Sequence, residues 1–398
     1  MNDALLDRIR QIQPELTAIR RDIHAHPEIG MDEHRTSALV AAKLREWGLE
    51  VTEGVGRFGV IGTLKGRSPG QRAIGLRADM DALPITEVRD LPYRSRNDGV
   101  MHACGHDGHV AMLLGAAQLL SARDDLAGTV VLVFQPAEEG AAGAPAMLDD
   151  GLLERFGIQE IYGIHNIPGI PAGDFAIRPG TILASFDDIT ITITAEGGHA
   201  MAPDRTGDVV AAGAYLVTQV QTIVARRLDP LVPAVVSITA FHAGTTNNVL
   251  PTRAELLGTA RCLDADSRER IENQIRRICM ATADVHGVDV ELDYVHRYPC
   301  TVNDPDRAER AARAAIAVAG RDHVDANCAG LLAAEDFSFY LERIPGAYGF
   351  IGNGPVTDEA GPVHNPTYDF NDEILTRGAH YLAEMARTAI AEISGAPA

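Results

Sequence analysis

The chain is poor in the residues that staple or anchor proteins. It holds five cysteines in 398 residues, an odd number, scattered as Cys104, Cys262, Cys279, Cys300 and Cys328. That usage argues against a disulfide framework and points to a reducing, cytoplasmic compartment. No apolar run approaches the roughly 20 residues that a membrane span needs. The first residues, Met1-Asn2-Asp3-Ala4-Leu5-Leu6-Asp7, show no basic stretch followed by a long apolar run, so no secretion signal is expected. Basic residues are outnumbered, 35 against 55 acidic, and the formal net charge of −20 makes nucleic acid an unexpected partner. Low-complexity segments and fixed-period repeats are also missing, which removes the solenoid and fibrous classes. What remains is a globular composition, 46% hydrophobic, in a chain too long for one ordinary core. Two or three domains are expected.

One stretch concentrates reactive side chains: His102-Ala103-Cys104-Gly105-His106-Asp107-Gly108-His109. Its glycines permit tight backbone turns. Imidazole and thiolate suit a borderline-soft divalent metal, and carboxylate suits harder ions. Such clusters also occur as hydrogen-bonded loops without metal, so the reading depends on ligands from elsewhere.

Read in order, residues 1–26 form a helix with apolar positions from Leu5 to Ile23 at three- and four-residue steps, and Pro27 ends it. A second helix is expected from Glu33 to Trp47, with Gly48 as its cap. His24, His26 and His34 read as polar residues on partly exposed helices. Strands follow at 59–64, 73–78, 128–134 and 161–164, with helices at 110–120 and 144–156 between them. This alternation predicts an α/β fold, a mixed open sheet with helices on both faces. In such sheets ligands bind at the carboxyl ends of strands. Asp79, the pair Glu138-Glu139, and His165 each follow an apolar strand, which places three chemistry-bearing sites on one edge. After residue 183 the pattern changes to alternating strands. The order strand 185–194, helix 208–225, strands 234–241 and 254–262, helix 267–286, strand 288–294 predicts an inserted ferredoxin-like α+β domain over 184–296. Residues 1–183 and 297–398 then form the first and second parts of the catalytic domain.

With these pieces together, the sequence resembles the di-metal aminoacylase/carboxypeptidase superfamily. Within it the likeness is to hippurate hydrolases, N-acyl-amino-acid amidohydrolases and indole-acetyl-amino-acid hydrolases. The motifs that carry it are Arg77-Ala78-Asp79-Met80-Asp81-Ala82-Leu83-Pro84, the 102–109 cluster, Gln135-Pro136-Ala137-Glu138-Glu139-Gly140, Gly163-Ile164-His165-Asn166, Gly197-Gly198-His199-Ala200, Ala334-Glu335-Asp336-Phe337-Ser338-Phe339 and His364-Asn365-Pro366. The resemblance implies a zinc-exopeptidase-like fold whose inserted domain serves as lid and dimerisation domain. It implies two divalent ions per subunit (manganese, zinc, cobalt or nickel) held by Cys104, His106, Glu139, His165 and His364. Glu138 would be the general base and Asp79 a carboxylate that orients a ligand histidine. His199 would reach a partner's active site to steady the oxyanion, and Asn248 and Arg261 would hold the substrate carboxylate. A homodimer through residues 184–296, or a homotetramer built from it, is implied. The implied reaction is hydrolysis of a small-molecule N-acyl amino acid to a carboxylic acid and a free amino acid. N-acetyl-diaminopimelate deacetylation and dipeptide cleavage are the alternatives of the same fold, and a cysteine hydrolase using Cys104 as nucleophile is a third. Asp204 and Val209 stand where relatives often carry a histidine and a proline, which leaves the acyl pocket undefined.

Overall fold

Runs of valine, isoleucine and leucine build the centre of the larger unit. The computed structural model describes residues 3–66, 73–123, 126, 128–140, 142–358 and 360–394, with side chains from Arg8 to Glu392. The chain divides into one unit of Met1–Gly180, Val302–Ala329 and Phe339–Ala398, and a second of Thr181–Thr301 with Gly330–Ser338.

In the first unit eight strands form one sheet, in the order Glu50–Val55, Gly59–Lys65, Thr129–Gln135, Ala73–Asp79, Ile158–Pro168, Gly346–Gly354, Phe175–Ala176, Val324–Asp325. Ala73–Asp79 runs parallel to both Thr129–Gln135 and Ile158–Pro168, and the last of these runs parallel to Gly346–Gly354. These central strands are buried on both faces, as parallel strands covered by helices must be. Gly59–Lys65 joins antiparallel, so the sheet is mixed. The helix His106–Ser121 is apolar all round and packs against Asp3–Ala25, His34–Glu46 and Leu375–Ser394.

Several expectations change in detail. The first helix spans Asp3–Ala25, and the first two residues of the expected span lie outside the described residues. The helix expected at 110 starts at His106, so His106 and His109 sit one turn apart at its mouth. The helix expected over 144–156 is two, Gly143–Asp149 and Leu152–Phe156, split where Gly151 takes φ +76°. His165 does not follow its strand. The strand runs on to Pro168 because Gly346–Gly354 pairs with it from Ile161 to Pro168, with His165 opposite Phe350. His24 is fully buried rather than partly exposed.

The second unit is a four-stranded antiparallel sheet, ordered Ala234–Ala243, Arg253–Cys262, Phe186–Thr194, Asp289–Tyr298. Helices Val209–Val220 and Ala265–His286 supply its apolar layer, with Leu216, Ile271 and Ile275 packed on Ile189, Ile191 and Ile193. The order of these elements is β-α-β-β-α-β, the ferredoxin-like arrangement. Gly330–Ser338 also belongs to this unit, although the chain has by then returned to the first. Among the described residues no helix is long and apolar enough to cross a membrane.

Candidate metal centre

Three parallel strands bring their carboxyl ends to one edge of the larger sheet, and the reactive side chains gather there. Asp79 closes its strand opposite Gln135. Gly105 precedes the helix at φ +93°, which turns Cys104 and His106 toward the same space. The turn after Gln135 is tight: Ala137 sits at φ +55°, and the Gly143 N–H donates to the Ala137 carbonyl at 2.9 Å. That left-handed residue lets two neighbouring glutamates point differently. His364 also has a left-handed backbone, φ +63°, pinned by its N–H donating to the Ala103 carbonyl at 2.7 Å. Strain at such a position is a mark of functional sites.

Two ligand triads result. Cys104, His106 and His165 present ligand atoms all within 4.8 Å of one another, and so do Cys104, Glu139 and His364. Cys104 belongs to both. A third set, His106, Glu138 and Glu139, ties the pair together at the same spacing. Individual contacts agree: Cys104 Sγ lies 3.3 Å from His165 Nε2, and His364 Nε2 lies 3.1 Å from Glu139 Oε1. His165 Nδ1 is 2.6 Å from the Asn166 carbonyl, so the ring donates there and turns its other nitrogen to the thiol. The His106 Nδ1–H is likewise spent on the Asp81 carbonyl at 2.9 Å.

The donor set fits divalent cations. His106 Nε2 is buried and, among the described residues, makes no hydrogen bond. Leaving such an atom without a partner is costly unless a cation meets it. The charge balance says the same. Burial opposes a charged ring at His106, yet Asp79, Asp81 and Glu139 outweigh it and push its pKa up to about 10. Burial, Glu139, Glu138 and Asp79 drive the Cys104 thiol well above its usual range, while burial and two neighbouring histidines hold His165 neutral. An enclosure this acidic calls for positive charge.

Around these groups stands a ring of supporting partners. Asp79 bonds His109 Nδ1 at 2.6 Å and Arg77 Nη1 at 2.7 Å, and lies 3.7 Å from His106 Nε2. Asp81, a residue to which the sequence reading gave no role, reaches His106 through Nδ1. Its Oδ1 is 3.2 Å from His106 Nδ1, and its Oδ2 accepts the Glu139 N–H at 2.9 Å. The only signal for it in the sequence was its place two residues after Asp79. Asp107 bonds His24 at 2.9 Å, and both nitrogens of His102 are buried without a hydrogen-bond partner among the described residues. His109 also meets Asn166 Oδ1 at 2.8 Å, and Asn166 donates to Tyr368 at 2.6 Å.

In the second unit His199 and Asn248 share one loop pair. Gly198–His199 pairs with Val249–Leu250, and the Ala200 N–H donates to the Asn248 carbonyl at 3.1 Å. The Met201 N–H donates to Nδ1 of the exposed His199 ring at 3.1 Å, which leaves Nε2 free of that bond. Arg261 is elsewhere. His199 adjoins the Arg253 end of the strand Arg253–Cys262, where Ala195 bonds Thr252, and Arg261 is at the far end. Eight strand residues at ~3.3 Å each put roughly 25 Å between them. Arg261 lies over the Phe186 ring at 4.7 Å and donates to the Leu332 carbonyl at 3.2 Å.

A mixed sheet that gathers two overlapping ligand triads and a glutamate pair at its strand ends defines a two-metal hydrolase of amide bonds. Residues 75–388 match peptidase family M20/M25/M40, and the chain belongs to that family. It is 40% identical over 382 residues to a hippurate hydrolase of Campylobacter jejuni, covering 96% of this chain and 98% of that protein. It is 38% identical to an N-acetylcysteine deacetylase of Bacillus subtilis, with 93% and 96% covered. Among solved structures, a Bacillus subtilis protein described as a dinuclear metal binding peptidase of the M20 family matches with a TM-score of 0.83 and 35% identity, over 96% of this chain and 99% of its own.

Proposed function

We propose that the protein hydrolyses the amide bond of N-acyl amino acids at this centre, with Cys104, His106, Glu139, His165 and His364 holding two divalent ions and Glu138 as general base. The observation that carries the reading is the pair of triads sharing Cys104, with the Glu138 carboxylate within 4.8 Å of the His106 and Glu139 ligand atoms. The ions, when bound, supply polarisation of the scissile carbonyl and acidification of a water. The Glu138 carboxylate would take the proton of the attacking water and hand it to the leaving nitrogen. Asp81 keeps the His106 ring and the Glu139 backbone in place for this. Asp79 fixes His109 against Asn166, next to His165. The likeness to a hippurate hydrolase and an N-acetylcysteine deacetylase supports a substrate made of an acyl group on a free amino acid.

The division of the second unit supports assembly of two copies. His199 with Asn248, and Arg261, occupy opposite ends of one sheet, so a single copy does not bring them to one substrate. In a homodimer one copy would lend His199 and Asn248 while the other lends Arg261. The edge strand Ala234–Ala243 exposes Val235 and Phe241, and the neighbouring helix exposes Val210 and Tyr215, a surface suited to such pairing.

A cysteine hydrolase is the weaker reading. The Cys104 thiol is held protonated by burial and carboxylates, the reverse of what a nucleophile needs. The test is to strip metal with a chelator, restore manganese, zinc, cobalt or nickel singly, and follow amino-acid release from N-benzoyl and N-acetyl amino acids and a dipeptide. Loss on stripping and recovery with one metal is expected. Activity that survives complete stripping would overturn the assignment.

A further inference from the structure

The two glutamates of the centre sit on a turn held by more than its own backbone hydrogen bonds. Ala137 holds a left-handed φ of +55°, a conformation that a residue with a Cβ rarely adopts. Two carboxylates from outside the turn grip it on either side of Glu138. Asp81 Oδ2 accepts the Glu139 N–H at 2.9 Å, and Glu33 Oε1 accepts the Ala137 N–H at 2.8 Å.

Glu33 has no other evident task. It is fully buried and stands at the N-terminal boundary of the helix His34–Glu46, yet makes no capping hydrogen bond to it. That work falls to Glu28, which accepts from the Arg35 and Thr36 N–H groups at 2.7 and 2.8 Å. Glu33 Oε2 has no hydrogen-bond partner among the described residues. Burial and the neighbouring Asp81 push the Glu33 pKa up to about 7. The segment before it is wedged against the same turn. A Cβ built on Gly30 would lie 2.9 Å from Ala137 Cα and 3.3 Å from Asp81 Oδ2. A buried acid that ignores its own helix and spans to a distant catalytic turn is expensive to keep for packing alone.

We propose that Glu33 is a positioning residue that sets the aim of Glu138 by holding the Ala137 N–H, while Asp81 independently holds Glu139 and its metal. This rests on Glu138 being the base. Removing the Glu33 carboxylate frees only the upstream half of the turn. The metal ligands keep their places and the base loses its aim, and a misplacement of about 1 Å costs up to roughly 100-fold in rate.

The test compares the metal-loaded protein with Glu33→Ala, Glu33→Gln and Glu138→Gln variants. The readouts are metal stoichiometry, kcat and KM for N-benzoylglycine. Glu33→Ala should bind two ions, keep KM, and lose about 10- to 100-fold in kcat. Glu33→Gln, whose amide oxygen still accepts the Ala137 N–H, should recover most of that loss. Wild-type kcat in Glu33→Ala overturns the inference. So does a Glu33→Gln variant as slow as Glu33→Ala, or loss of metal in step with activity. Glu138→Gln separates the two levels of the argument. If that variant is fully active, the base assignment fails. If it is inactive while Glu33→Ala turns over normally, only the role of Glu33 fails.

Discussion

Gly105 is the position at which a single methyl group tests the architecture of the centre. It lies between Cys104 and His106 at φ +93°. A Cβ there would sit 2.1 Å from Asn166 Oδ1 and 2.5 Å from the Tyr368 hydroxyl. Gly105→Ala therefore incurs two separable costs. The backbone conformation alone costs an L-residue about 1–2 kcal/mol. The collision drives apart the buried Asn166–Tyr368 hydrogen bond, 2.6 Å long, and leaving buried polar groups unpaired adds about 1–3 kcal/mol for each. Together they remove a large part of the 5–15 kcal/mol typical of a folded domain. The damage is directional as well. Asn166 follows His165 in the strand and contacts His109, so its displacement loosens His165 while Gly105 itself re-aims Cys104 and His106. Metal affinity should fall before the fold is lost. Gly99 supplies the internal control: its φ is +76°, and a Cβ there meets nothing within 4 Å. Gly99→Ala carries only the backbone cost and leaves the centre untouched. Guanidinium unfolding of both variants, with metal content by mass spectrometry, reads the difference. A Gly105→Ala protein as stable as Gly99→Ala, with two ions bound, would refute the reasoning.

Glu138→Gln should retain both ions and lose about 10²–10⁴-fold in kcat, as removal of a general base does; steady-state kinetics and metal analysis decide it. Chelation should lower the unfolding temperature as well as abolish turnover. An ion at 1,000 times its dissociation constant contributes about 4 kcal/mol, which thermal scans with and without added metal would register. His24 gives a pH prediction. Burial opposes its charge, but hydrogen bonds to Asp107 and Glu87 outweigh burial and raise its pKa to about 9. The unfolded value is lower, so the charged ring stabilises the fold below about pH 6.5, and that contribution drains away as pH rises toward 9. The loss is at most roughly 3 kcal/mol. Denaturant midpoints from pH 6 to 10 should decline in the wild type and stay flatter in His24→Gln; identical slopes would rule His24 out.

Groups of the centre that lie close together in sequence, or just after an apolar strand, could be read in advance. Cys104, His106, Glu138 and Glu139 are of this kind, because spacing and strand order already confine them to one edge. The edge strand Glu50–Val55 was invisible because Glu-Val-Thr-Glu-Gly-Val has no apolar run and is mostly solvent-facing. The true length of the His165 strand was hidden because pairing with Gly346–Gly354, set by residues far along the chain, extends it past its apolar stretch.

What sequence hides most completely is support. Glu33 reaches Ala137 across 104 residues, and Asp81 reaches Glu139 across 58. Nothing in the local pattern of either acid names its partner. Glu33 even occupies a helix-start position, yet the carboxylate that accepts from that helix's first N–H groups is Glu28. A ligand is chosen by its own chemistry, so its residue type announces it. A group that holds a ligand is chosen by where the fold delivers an unpaired N–H or ring nitrogen, and that delivery is fixed only when strands and helices are placed. The turn at 136–140 shows the consequence. Its two glutamates were legible as a pair, but the division of labour proposed for them rests on a left-handed Ala137 and on two carboxylates that accept from the chain on either side. The chemistry of this centre is therefore written in short motifs, and its aim is written in long-range hydrogen bonds to backbone.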